Sequence, residues 1–197
     1  MMEKFGWEQY LIIEEDFIAA KKYINFTQNN YQVDSIFLRN EIVLLGSEIE
    51  IAFKKLINYL EPTTDAGNIN QYKEKILLYY PNIVNFQTNL LGTEQIFQPY
   101  QNWDADRLSF WDSYVNIKHG INNVLATLKL ALDMLSAYEI ILYFIHAEET
   151  RRQGGKEIEY FPLEWPKLLG LYFNNNEECF GNASICGTYN IGMFGRR

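Results

Sequence analysis

Side chains able to move a proton near neutral pH are scarce here: 197 residues contain two histidines, His119 and His146, so each is weighed as a site. His119 closes the stretch LSFWDSYVNIKHG (108–120). On a helix, Leu108, Asp112, Val115 and His119 fall on one face, and Trp111, Tyr114 and Lys118 fall on an adjoining one. The spacing predicts that His119 points inward at a helix end, with Gly120 as the stop. An imidazole there could act as general acid or base, beside the point charge of Lys118 and the hydrogen-bonding Tyr114 and Asn116. The plainer reading is a partly buried histidine satisfied by a carboxylate or carbonyl, with Trp111 and Tyr114 in the core.

Glu48 is the candidate carboxylate. It flanks an apolar stripe on one face with Glu41, Leu44 and Lys55, where it could orient His119 or pair with Lys118 and so fix the imidazole tautomer. A solvated charged face is the alternative. Glu50 and Lys54 read as an ordinary i, i+4 helix pair. His146 and Glu149 have an H-x-x-E spacing, but a di-metal site would need a second such motif and further carboxylates, so no metal is expected. Cys179 and Cys186 are too few for a zinc site or a disulfide framework and are expected as free thiols. No glycine-rich phosphate loop and no nucleophile elbow occurs, so no cofactor, nucleotide hydrolysis or α/β-hydrolase chemistry is expected.

The elements that would hold these residues are helical. In residues 34–60, Leu38, Ile42, Leu45, Ile49, Ala52, Phe53, Leu56 and Leu60 recur at helical steps, with Asp34 or Ser35 as cap and Glu61-Pro62 as stop. Residues 14–26 read as a shorter helix with acids in its first turn. A short helix is expected over 72–80, stopped by Pro81, and a small β-hairpin within 82–100. Residues 104–119 form the helix of the candidate site. Asn122 or Asn123 caps the next, 123–149, which is apolar on nearly every side except a seam of Lys129, Asp133 and Ser136. Such a helix lies between other helices or in a dimer interface. The domain limits follow: a bundle over 1–152 and, over 153–197, an irregular or partly stranded appendage rich in Gly, Asn and Pro.

Composition narrows the function. The chain is 48% hydrophobic and 16% aromatic, with 14 Tyr and 13 Phe, which suffices for a substantial core and makes a homodimer a fair expectation. A formal charge of −8 argues against coating nucleic acid or an anionic membrane, though a small basic pocket stays open. No export signal or membrane span is read, so the expected location is cytoplasmic.

The pattern W-x-x-Y-x-N-x-K-H (111–119), following a helical hairpin that contains S-E-I-E-x-x-x-K (47–54), resembles bacterial members of the HEPN-like superfamily. That resemblance covers roughly residues 17–149. It implies an all-α, up-and-down bundle of four to five helices, here with a hairpin insertion and a C-terminal appendage. It also implies an RNA- or nucleotide-directed protein of defence or toxin–antitoxin systems, with an operon-encoded partner and metal-independent ribonuclease chemistry. His119, Lys118, Asn116, Tyr114 and Glu48 would be the catalytic set. The chain departs from the family at one point: active members carry an arginine four to six residues before the histidine, where this chain has Asp112, Ser113 and Tyr114. His146 has Glu139, Ile140 and Ile141 at those places. The rival expectation is therefore a catalytically inactive, dimeric interaction module.

Overall fold

The computed structural model describes residues 5–121, 124–154, 157–158, 165–172 and 189–190. Two 25-residue helices form its axis, α2 (Ile36–Leu60) and α5 (Leu128–Arg152). They run parallel and are tied at both ends. At their starts Ala126 N–H donates to Asp34 at 2.6 Å and Leu128 N–H to the Val33 carbonyl at 2.9 Å. At their ends the Arg152 guanidinium donates to the Tyr59 carbonyl at 2.5 Å. α1 (Trp7–Ala20) and α4 (Ser109–Lys118) run antiparallel to this pair, so the described chain alternates direction along α1, α2, α4 and α5. The short α3 (Ile69–Tyr79) packs Tyr72 on Phe53 of α2.

The stripe expected over 34–60 is the buried face of α2, and Ser35 caps it by accepting from Leu38 N–H at 3.1 Å. α5 lies at the centre: from Ala131 to Glu148 every side chain but Asp133 is buried. Its apolar circumference is therefore covered within the chain by α1, α2, α4 and the sheet. Ser136, expected in a polar seam, faces that sheet and receives the Thr88 hydroxyl at 2.9 Å.

The expected hairpin is present as β1 (Gln87–Leu90) against β2 (Ile96–Phe97), and β4 (Leu169–Tyr172) joins the other edge of β1 antiparallel, giving the order β2-β1-β4. The tail is thus partly stranded, and its Leu168, Leu169 and Leu171 belong to the same core as the helices. β3 (Glu157–Ile158) pairs with β5 (Tyr189–Asn190). No helix among the described residues is long and apolar enough to cross a membrane.

Several boundaries differ from the sequence reading, among them the end of α1 at Ala20 rather than 26 and the start of α3 at Ile69 rather than 72. α1 begins at Trp7 rather than Glu14, because Trp7, Tyr10, Ile13 and Phe17 form its buried face and Glu14 lies inside that face. α4 begins at Ser109: residues 101–107 turn instead, around Asn102 with φ 62°. α5 begins at Leu128, capped by Thr127, whose hydroxyl oxygen accepts from Leu130 N–H at 3.2 Å. Asn122, Asn123, Cys179 and Cys186 lie outside the described residues.

Candidate functional site

α4 ends as its sequence predicts. Gly120 adopts φ 63°, its N–H donates to the Ile117 carbonyl at 3.2 Å, and Ile121 N–H reaches back to the Asn116 carbonyl at 2.9 Å. This pair of bonds is the Schellman termination. The orientation of the helix is the reverse of the expectation. Phe110, Trp111, Tyr114 and Ile117 are its buried residues, while Asp112 and His119 are exposed and Val115 and Asn116 are half-buried. His119 points outward, not inward, because the stripe of larger rings is the one that faces the core.

Tyr114 seats this face on α2. Its ring lies over Gly46, where a Cβ would sit 2.2 Å from two ring carbons, so only glycine admits this approach. Trp111 packs edge-on against Tyr114 at 5.3 Å and tilted against Phe53 at 5.9 Å. The Lys118 ammonium donates to the Tyr114 hydroxyl at 3.0 Å, and that hydroxyl holds Lys118 above the ordinary lysine value.

The acid that accompanies this pair is Glu50, not Glu48. Glu50 accepts from Lys54 at 2.7 Å and from the Tyr72 hydroxyl at 3.5 Å, and its charge acts on Lys118. Tyr72, Tyr114, Glu50, Lys54 and Lys118 thus form one polar cluster across α2, α3 and α4. Glu48 is on another side of α2, where its Oε2 accepts from the Tyr138 hydroxyl at 3.3 Å. Burial, followed by the charge of Glu48, pushes Tyr138 well above the usual tyrosine range. Of the five candidates, Tyr114 and Lys118 are brought together, Asn116 and His119 follow on the outer side of the same helix, and Glu48 is apart. The Glu50/Lys54 pair was visible as an i, i+4 spacing, but nothing local in the sequence ties it to Tyr72 and Lys118.

His146 is fully buried, with Nδ1 2.9 Å from Glu149 Oε2, and Glu149 also accepts from the Tyr59 hydroxyl at 2.8 Å. The H-x-x-E spacing therefore builds a polar ladder between α5 and α2. Among the described residues no three His, Cys, Asp or Glu side chains gather as a metal set. A cavity of about 510 Å³ lies elsewhere, between the end of β2, the 98–109 loop and the first turns of α5, with Asn102, Arg107, Lys129 and Asp133 on its wall. Lys129 and Asp133 pair there at 2.5 Å. Burial pushes the Asp133 carboxyl up, against the opposing pull of Lys129.

No protein-family model, no curated protein and no solved structure matches the chain.

Proposed function

We propose that the chain is a HEPN-like helical bundle serving as a non-catalytic interaction module, and that its working face is the α2–α3–α4 surface around Glu50, Lys54 and Lys118. The observation that carries this reading is the direction of His119. A catalytic imidazole must reach the reacting group and be oriented by a second group. His119 stands on the outer side of α4, and its ring has no hydrogen bond to another described side chain. The mixed charges of the working face suit a protein partner whose surface carries both signs, such as one encoded beside it. A ribonuclease reading has one observation in its favour: Lys54 and Lys118 place two ammonium groups on one face, where they could meet RNA phosphate.

Single-stranded RNA incubated with the full chain in EDTA separates the two. The module reading expects no cleavage, and it expects His119→Ala to change folding stability by no more than about 0.5 kcal/mol, as for an exposed side chain outside any network. Cleavage that His119→Ala reduces on the order of 100-fold would overturn it, because that is the scale of a lost general acid or base.

A further inference from the structure

Several acidic side chains of this fold have cationic partners: Glu50 has Lys54, Glu61 has Lys75, Asp133 has Lys129 and Glu148 has Arg151. The seam where α1 meets α2 and α5 is different. Glu14 comes from α1, Glu41 and Glu48 from α2 and Glu139 from α5, and among the described residues no Lys or Arg side chain forms an ion pair with any of them. Glu14, Glu41 and Glu139 are 1%, 8% and 0% exposed. Glu41 Oε2 and Glu139 Oε1 have no hydrogen-bond partner.

Among the described residues, compensation comes from neutral donors. Glu14 accepts from the main-chain N–H groups of Lys167 (2.9 and 3.0 Å), Leu168 (2.8 Å) and Leu169 (3.4 Å). The Tyr10 hydroxyl lies 3.4 Å from Glu14 Oε1 and 3.3 Å from Glu139 Oε2. A single hydroxyl proton can be donated to only one of them at a time, which leaves the other carboxyl without that donor. Two carboxylates sharing one phenol in a dry seam cannot both ionise without strong repulsion.

We propose that this seam is a proton-gated joint: α1 stays docked while the buried carboxyls of Glu14, Glu41 and Glu139 hold protons, and it lifts from α2 and α5 more often as pH rises through neutrality. The burial of Trp7, Tyr10, Ile13 and Phe17 keeps the docked state in the majority. The carboxyls set how often it opens. Burial, then the charge of Asp16, pushes Glu41 up to about 7, and burial raises Glu14 and Glu139 as well. An acid whose value is raised in the docked state favours docking when protonated, so ionisation weakens docking. The groups facing these acids are Tyr10 and Asp16 on α1 and Tyr138 on α5, with Tyr143 of α5 acting on Tyr10; further along lie Lys55 of α2, over the Phe5 ring, and His146 of α5, edge-on to Trp7. Lys167 faces them from the C-terminal segment, its ammonium 3.8 Å from Glu15. Because Glu14 binds the amides of 167–169, an opening of α1 also loosens the entry to β4.

Hydrogen exchange of the full chain, corrected for intrinsic rates, reads the opening equilibrium directly. If Glu41 alone moves from 4.5 when released to about 7 when docked, opening becomes roughly tenfold more frequent between about pH 6 and about pH 8.5. Amides of α1 should show at least that rise while those of α5 between Ala131 and Ala147 do not, and Glu41→Gln should remove most of it. Should Glu41→Gln fail to fold, Asp16→Asn on the exposed side must shrink the rise. An α1 exchange rate that changes less than about twofold over this range, or the same rise in the variant that is read, would overturn the joint.

Discussion

Gly46→Ala tests how α4 is seated, because it sets a favourable local effect against an unfavourable long-range one. In the interior of α2, alanine should gain about 1 kcal/mol over glycine from backbone propensity alone. Against that, the new methyl would lie 2.2 Å from Tyr114 Cδ2 and Cε2, where ordinary contact begins at 3.4 Å, so the ring must recede by 1.2 Å. It has little room to do so. Trp111 packs on its edge at 5.3 Å, and Lys118 holds its hydroxyl at 3.0 Å. The whole of α4 must shift, and overpacking of this kind costs about 1–3 kcal/mol, occasionally more. The upper end applies to a packed ring with no flexible tip at the contact, so the net loss expected is about 2 kcal/mol, a fall in Tm of roughly 4–8 °C for a chain of this size. Urea unfolding of Gly46→Ala, Tyr114→Leu and the double variant completes the cycle. The double variant should be at least about 1 kcal/mol more stable than the sum of the single losses implies, since shortening Tyr114 removes the clash. A Gly46→Ala protein as stable as the wild type, or a strictly additive double variant, would refute the argument that α4 is positioned by this contact.

Gly120→Ala should cost about 1 kcal/mol in the same assay, because φ is 63° while the added Cβ would meet nothing within 4 Å, leaving backbone strain as the only penalty. A variant of unchanged stability would mean that α4 ends without the left-handed residue. Light scattering at tens of micromolar is expected to return the single-chain mass of 23.2 kDa, because α5 and the largest aromatic rings, which suggested a homodimer, are covered inside the chain. A mass twice that would place a dimer contact on exposed apolar side chains such as Ile12 of α1 and Leu44 and Ile51 of α2.

What could be read from the sequence was local. Ser35 and the stripe from Leu38 to Leu60 follow from a 3.6-residue period, Gly120 from the need for a left-handed residue, and the β1–β2 hairpin from a short turn between β-forming residues. The direction of His119 was not readable that way. α4 carries two adjoining stripes, and periodicity identifies both without saying which one meets a core; the answer lies in Gly46, more than sixty residues earlier in the chain. Glu48 and Glu50 illustrate the same limit, since two residues on a helix are about 200° apart and a choice between them is a choice of opposite sides. Glu14 to Asp16 resembled the charged first turn of a helix because the partners that let Glu14 be buried are amides of residues 167–169.

Those amides also constrain the order in which the molecule can be built. The bonds from Glu14 to residues 167–169 span separations of 153 to 155 residues, and they form only when nearly the whole chain is available. During synthesis the amino-terminal part emerges first. α1, α2 and the hairpin therefore exist for a time with a carboxylate aimed at donors not yet made, and with the β1 edge that β4 will cover still open. Contacts of such long separation form late and slowly. An open strand edge beside unfilled apolar seats for Leu168, Leu169 and Leu171 is a template for pairing with other chains. Docking of β4 is thus the contact that closes this edge to neighbouring chains, and a chain cut short before residue 165 would keep it open.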